Sequence, residues 1–537
     1  MKILTDMKSK YLVPALLTLS LAACTKLDVD VESELTPSNF PTNEESFIAA
    51  TGPVYTRFRS NFAIDYWRLQ ELSTDEAIIP ARDGNYDDGG QYRFMHYHTW
   101  TADHPYAKSI WEWGFGGINS ANRILSLFEA APASAARTTS LAEMRTMRAL
   151  FYFFMMDLYG NVPIIKDAVI AEPPSTAARK DVFAFVESEL KAALPDLSAV
   201  AGQKTYGRPT KWLAYALLAK LYLNADVYTG QSRYADAVAM ADFILNDAST
   251  IYSLDADYMS VFAPTNGPLT KETIFAVPYD ANVATGNQFS RYGLHTGLQK
   301  KYNLPFRPSI AMSTTRDFYL KFNLTGDQRN KTLLAGKQYE NDGSPILIAT
   351  TKKGMDNAYT GADGAAKINY HLEFTPEMPL VKENTMDVGN DEIGKARGVR
   401  SIKFYPDPAT NPDTRNQGND FPVFRLADVL LMKAEAILRG AAPTVVKGEL
   451  QTPAILVNKI RLRAGAPAVG AITLDELLDE RARELAWEGW RRNDLIRFGK
   501  YEDSWGFKTN KETFRRLYPV PNSERSLNPK LVQNPGY

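Results

Sequence analysis

The chain has a single cysteine, Cys24, and only five histidines in 537 residues. One thiol excludes disulfide frameworks, zinc ribbons, CxxC redox chemistry and cysteine-ligated iron–sulfur clusters. Five histidines leave little for a histidine-rich metal centre. An excess of either charge is also missing: 61 Lys+Arg stand against 62 Asp+Glu, a formal net of −1. Such a balance argues against a protein built to hold nucleic acid or an anionic membrane surface. No apolar run reaches the ~20 residues of a membrane span. The P-loop, the G-x-S-x-G elbow and H-E-x-x-H are absent. Trp113-Gly114-Phe115-Gly116-Gly117 lacks the third glycine of a dinucleotide fingerprint and follows no strand. What is present is ordinary core-forming material, 45% hydrophobic, together with 27 Tyr, 26 Phe and 8 Trp.

The N-terminus carries Lys2, Lys8 and Lys10, then an apolar run from Tyr11 to Leu21, then Leu21-Ala22-Ala23-Cys24. A cationic flank, a short apolar segment and small residues at the cut describe a bacterial export signal. A cysteine directly after those small residues resembles a lipobox, in which the thiol is acylated and becomes the first residue of the mature chain. Several acyl chains anchor a soluble domain stably, where one would be marginal. The alternating acids of Thr25–Glu34 carry no helical stripe and read as a solvated tether. The expected division is 1–23 leader, 24–40 tether and 41–537 folded domain.

Within the domain the clearest helix is 141–159, where Met144, Met147, Leu150, Phe151, Phe154, Met155 and Leu158 share one face of a 3.6-residue period. Gly160-Asn161 ends it. Mixed spacing over 43–60 and 107–130 is compatible with helices, and 180–194 reads as another. Pairs follow at 210–226 with 233–247, 423–439 with 452–463, and 473–486 with 487–499. The first pair alternates alanine with bulky residues, as close antiparallel helices in tetratricopeptide (TPR) repeats require. Between about 251 and 420 helical stripes become scarce, apart from 310–322, and Gly, Pro, Asn and Asp punctuate short apolar runs. Thr273–Val277 and Ile346–Ile348 read as strands. The fold class is mainly α: a helical core over about 41–250 and 421–500, an irregular insertion between, and a tail over 501–537.

Several segments together resemble the SusD/RagB family, the surface glycan-binding lipoproteins of Bacteroidetes nutrient-uptake systems. They are Arg148-Ala-Leu-Phe-Tyr-Phe-Phe-Met-Met-Asp-Leu-Tyr-Gly-Asn-Val-Pro163, Lys271–Ala276, Pro422–Ala436 with its R-L-A-D…A-E-A core, Asn458–Gly465, Glu480–Gly499 and Tyr518–Tyr537. They occur in the family's order. The resemblance implies four TPR-like helix pairs with a loop-rich lobe packed on them. It also implies a role without catalysis: capture of an oligosaccharide at the outer membrane and its delivery to a SusC-like TonB-dependent transporter, with acylated Cys24 as the lipid anchor. No nucleic-acid partner is expected.

The densest polar and aromatic stretch runs from Asp75 to Trp113. Sugar recognition needs flat apolar faces against C–H surfaces and Asp, Asn or Arg at the rim, and a Gly-rich loop carrying Arg82, Asp83, Asn85, Tyr86 and Asp87 before Trp100 and Asp103 supplies them. By order and spacing the resemblance carries the glycan site onto Arg82, Trp100 and Asp103, with Tyr86 a looser candidate. From the insertion, Arg291-Tyr292 or Tyr302 completes the arc, with no motif to choose between them, and Tyr292 is the candidate taken. Against this, Trp100 can be read as core; Trp111 and Trp113, beside Gly114, Gly116 and Gly117, read as packing.

Three further patterns carry chemistry on paper. Glu480, Glu484 and Glu488 at i, i+4 and i+8 share a helix face, as paired acids for glycoside hydrolysis would. Interleaved arginines make an ion network the better reading, including a Glu488–Arg492 pair. His96-x-His98-x5-His104 lacks acidic or Cys partners at ligand spacing. Asp83-x-Asn85-x-Asp87 imitates the start of a calcium loop, but Asp88 stands at the sixth position and Phe94 at the twelfth, so an EF-hand is excluded and only an irregular Ca²⁺ site is left open. No cofactor is expected. The alternatives to glycan capture are the same fold with a peptide or other polymer ligand, and a surface glycoside hydrolase.

Overall fold

The computed structural model describes residues 43–82, 85–350, 368–389 and 392–537. The leader, Cys24, the tether, Asp83 and Gly84 lie outside the described residues.

Helices dominate: α1 (Glu44–Ala50), α2 (Gly52–Asn61), α3 (Trp67–Glu71), α4 (Gln91–Tyr97), α5 (Pro105–Ala130), α6 (Ala135–Tyr159), α7 (Arg179–Ala193), α8 (Lys211–Leu223), α9 (Tyr234–Asp247), α10 (Leu426–Leu438), α11 (Pro453–Arg463), α12 (Leu474–Leu485) and α13 (Arg491–Arg497). Neighbours in sequence pack as antiparallel pairs, α5 on α6, α6 on α7, α8 on α9 and α10 on α11, and α9 also packs on α10. Local chemistry sets the ends. The Ser134 hydroxyl accepts the Arg137 N–H at 3.1 Å to start α6, and Gly160 at φ 72° terminates it. Thr473 and Glu476 form a capping box on α12. α5 approaches α6 closely because Gly114 and Gly117 face Met155 and Phe151, where a Cβ would collide. Trp111 and Trp113 are packed there as expected: Trp113 donates to the Arg57 carbonyl at 2.7 Å, and Trp111 meets Tyr159 edge-on at 5.1 Å. Among the described residues no helix is long and apolar enough to cross a membrane.

The stretch 251–420 is irregular and stitched by two-stranded ladders. Four strands hold the lobe against the helices: β1 (Ala77–Ile78), β2 (Thr273–Val277), β3 (Ser313–Thr314) and β4 (Phe421–Arg425). β2 pairs antiparallel with β4, Phe421 opposite Val277, and the register shifts after Pro422, which cannot donate to a ladder. β1 pairs antiparallel with β3, Ala77 opposite Thr314. The helix expected over 310–322 is cut to a single turn. Ser313 and Thr314 are taken into the ladder, and only the turn Arg316–Tyr319 follows, capped by Thr315 accepting the Phe318 N–H at 3.2 Å.

A buried charge lattice joins lobe to helices. Arg425, at the end of β4, reaches Glu272 beside β2, Glu484 on α12 (2.7 Å) and Glu488 (2.7 Å). Arg329, from the lobe, reaches Asp327 (2.7 Å), Glu480 (2.7 Å) and Glu484 (2.9 Å). Lys403 donates to Glu488 at 2.5 Å. The ion network expected at Glu480, Glu484 and Glu488 is therefore present: of the interleaved arginines Arg483 pairs with Glu480 at 2.8 Å, and Arg329, Arg425 and Lys403 join from the lobe and β4. The Glu488–Arg492 pair does not form: the chain leaves helical geometry between α12 and α13, with Trp487 at φ 64°, and Arg492 instead donates to the Arg516 carbonyl.

Beneath this lattice Glu71 and Glu76 are buried beside Arg491, which is engaged by Asp75 at 2.7 Å. Burial pushes the Glu71 carboxyl up from 4.5 to about 8, outweighing the Arg491 N–H and charge. A raised folded-state value means that the folded chain retains a proton the unfolded chain releases, so this group's stabilising contribution is full below pH 4.5 and is lost as pH rises toward 8. Glu71→Gln carries no such proton. Chemical denaturation at pH 5 and pH 8 is expected to show the variant gaining on the wild type as pH rises; a difference that stays flat refutes the neutral, buried Glu71.

Candidate functional site

The β1–β3 ladder sets the geometry. The chain leaving β1 runs through Ile79–Arg82 to Tyr86, and the segment Phe289–Ser309 leads into β3, so pairing Ile78 with Ser313 lays the two stretches side by side. The Tyr86 hydroxyl donates to the Ser309 carbonyl. Ser309 is held in turn by its N–H to the Arg291 carbonyl at 2.7 Å, and Met312 by its N–H to the Tyr292 carbonyl at 2.8 Å. Tyr86 adopts φ 66°, an unusual conformation for a side chain of its size, and is fixed there by this contact. Burial raises its phenol pKa, so it stays a donor.

Around Tyr292 lies a set of cations and phenols. The Arg68 guanidinium sits 5.0 Å from the Tyr292 ring centre, 5.3 Å from Tyr106 and 5.9 Å from Tyr92; Arg291 sits 4.8 Å from Tyr292. Arg68 also donates to the Tyr106 hydroxyl at 3.0 Å and to Asp65 at 3.5 Å. Tyr86, Tyr292 and Arg291 are half-buried while Arg68, Tyr92 and Tyr106 are buried beneath, so the surface offers two tyrosines edged by the Arg291 guanidinium and supported from below by Arg68. Such a surface can bind a ligand with flat C–H faces and hydroxyls. It holds no acid–base pair. Among the described residues no group of three or more histidine, cysteine or carboxylate side chains is placed to hold a metal ion.

Of the residues expected from the sequence, the structure brings Tyr86 and Tyr292 together and places the others elsewhere. Arg82 is 2% exposed, and its two terminal nitrogens donate to the carbonyls of Gly394 (3.2 Å) and Lys395 (3.0 Å) and to the Ser313 hydroxyl (2.7 Å), with Nε buried as well. It fastens the loop to β3 and presents no donor to a ligand, which corrects the expectation. Trp100 is 1% exposed, donates to the Tyr537 hydroxyl at 2.7 Å and packs on Tyr518 at 4.8 Å. It is core, as its alternative reading held, and has no open face for a sugar. Asp103 is exposed, but its carboxylate accepts the Asn522 amide at 2.9 Å and so faces the C-terminal tail. Tyr302 lies in a small separate core with Leu298 and Phe306. His96, His98 and His104 are buried and separately engaged, by Phe507 N–H, the Ser73 carbonyl and the Gln91 carbonyl. Asp87 pairs with Arg93. Sequence reasoning missed Arg68, Tyr92 and Tyr106, which belong to no motif; their convergence arises from α3, α4 and α5 meeting in space.

Residues 271–537 match the family model described as SusD family, and residues 37–223 match one described as starch-binding associating with outer membrane. The starch-binding protein SusD of Bacteroides thetaiotaomicron is 29% identical over 431 residues, covering 74% of this chain and 72% of that protein. A SusD-like protein of Bacteroides ovatus is 26% identical over 514 residues, covering 92% and 83%. Among solved structures, a laminarin-binding SusD-like protein superposes with a TM-score of 0.71 at 21% identity, covering 92% of this chain and 100% of the other. A SusD superfamily protein from Parabacteroides distasonis superposes at 0.70 and 22% identity, covering 93% and 100%.

Trp100→Ala tests the corrected placement. Loss of a fully buried aromatic is expected to cost about 3–5 kcal/mol in chemical denaturation. A variant as stable as the wild type would return Trp100 to the surface.

Proposed function

The chain belongs to the SusD family, and from that premise we propose that it is a surface glycan-binding protein that captures an oligosaccharide on the Tyr86–Tyr292 surface and passes it to a SusC-like TonB-dependent transporter in the outer membrane. The observation that carries this reading is the placement of two half-buried tyrosines, from segments far apart along the chain, beside Arg68 and Arg291. Relatives whose names record starch and laminarin binding support the ligand class. A role in binding rather than catalysis is supported by the fate of the acids. Burial alone would raise Glu484, but Arg463, Arg425 and Arg329 outweigh it and hold the carboxyl well below the usual range, the wrong direction for a general acid. The reading requires no cofactor. It places the chain at the outer membrane through acylated Cys24, with the acidic stretch after it as a tether.

Titration of the soluble chain, starting after Cys24, against starch, laminarin and other neutral polysaccharides by calorimetry tests the site. The expected result is binding without product release, weakened about tenfold or more by Tyr86→Ala with Tyr292→Ala at an unchanged Tm. Full affinity in that variant would move the site elsewhere, and release of shorter sugars would overturn the absence of catalysis. For the anchor, Cys24→Ser is expected to shift the protein from the membrane to the soluble fraction; retention in the membrane fraction would sink it.

A further inference from the structure

A cleft opens at the other end of α4, away from the Tyr86–Tyr292 surface. It measures about 820 Å³ and is walled by the half-buried rings of Tyr97 and Phe507 with Leu380, and rimmed by Thr99, Thr509, Asn510, Glu383 and Glu512. That volume falls within the ~300–1,000 Å³ usual for ligand clefts. Tyr97 is the last residue of α4, while Tyr92, near its first turn, belongs to the Tyr86–Tyr292 surface.

The walls are fixed before any ligand arrives. Both aromatic rings flank the buried His96 ring, Tyr97 at 5.9 Å and Phe507 at 5.8 Å, and the Phe507 N–H donates to His96 Nε2 at 3.0 Å. Burial, with Lys508 adding to it, lowers His96 to about 3, so the ring is neutral and remains an acceptor. Lys508 Nζ ties the carbonyls of Tyr501 and Asp503 together, both at 2.7 Å. Asn510 donates to the His98 carbonyl at 3.0 Å and to Glu512 at 2.9 Å, and the Tyr97 hydroxyl donates to the Glu383 carbonyl at 3.2 Å. A site whose walls are already ordered loses less on binding.

Its chemistry selects a class. Two aromatic rings and a leucine offer apolar faces for sugar C–H surfaces, two exposed threonine hydroxyls can donate to or accept from ring hydroxyls, and two carboxylates can accept from them. The lining residues include two carboxylates and no lysine or arginine. An anionic sugar would meet like charge there, whereas a neutral one would not. From this we propose that the Tyr97–Phe507 cleft is a second binding site for neutral glycans, separate from the Tyr86–Tyr292 surface. The proposal rests on the glycan-binding reading of the chain. Two sites on one protein give a long polymer two points of hold, which raises its retention without any new contact.

Short probes keep one molecule from bridging the two sites. Maltotriose and laminaritriose are titrated by calorimetry into the wild type, into Tyr97→Ala with Phe507→Ala, into Thr509→Arg, and into Tyr86→Ala with Tyr292→Ala. Thr509 is exposed, so its arginine variant obstructs the cleft without touching the core. The expected result is two bound trisaccharides for the wild type and one for each variant, with an oligogalacturonate excluded from the cleft. One trisaccharide in the wild type, unaffected by either cleft variant but lost in Tyr86→Ala with Tyr292→Ala, overturns the second site and leaves the first standing. Binding that vanishes only in the cleft variants keeps the cleft and overturns the Tyr86–Tyr292 surface. A wild type that binds neither trisaccharide overturns both.

Discussion

Arg425 is the point at which the two halves of the molecule are locked. Its guanidinium lies in the interior with three carboxylates around it, one from the strand beside the lobe and two from the α12 end of the helical stack. Arg329 repeats the arrangement from the lobe side, with Glu484 shared between the two arginines. Burying so many charges gains little net stability over an apolar core, because desolvation offsets the attraction. What the lattice contributes is intolerance of error: shifting β4 or the lobe would strand several unpaired charges in a low-dielectric interior at once, a cost of several kcal/mol.

That register matters because the candidate surface is assembled from both sides of the joint. Tyr86 and Arg68 come from the N-terminal segments, while Arg291, Tyr292 and Ser309 come from the lobe. Two ladder residues per strand, in β1 and β3, are too few to fix the pairing alone. Arg82, buried against Ser313 and the carbonyls of Gly394 and Lys395, adds the missing constraint. The arginine therefore contributes to the site by holding it in shape.

The same division of roles separates binding from catalysis. The acids Glu480, Glu484 and Glu488 are engaged by arginine and lysine in the interior, and Glu71 and Glu76 are buried away from the surface, while the Tyr86–Tyr292 surface has no acid–base pair. Recognition by flat rings and fixed donors is the chemistry such a surface supports.

Local patterns in the sequence determined the helices: the 3.6-residue stripe of α6, the glycine that ends it, the capping box of α12 and the alanine-rich pairing of α8 with α9 all act within a few residues of one another. The ordered motifs from Arg148 to Tyr537 determined the family, and the excess of arginine around Glu480, Glu484 and Glu488 pointed to a network rather than an acid pair. Tertiary structure alone decided which aromatic residues face water. Trp100 is closed off by Tyr537, 437 residues away, and Tyr86 is positioned by Ser309, 223 residues away. Exposure is set by what arrives from distant segments, and a sequence window carries only the neighbours that are near along the chain; that is why the helices were legible, Tyr292 could not be told from Tyr302, and a tryptophan in a sugar-like context proved to be core.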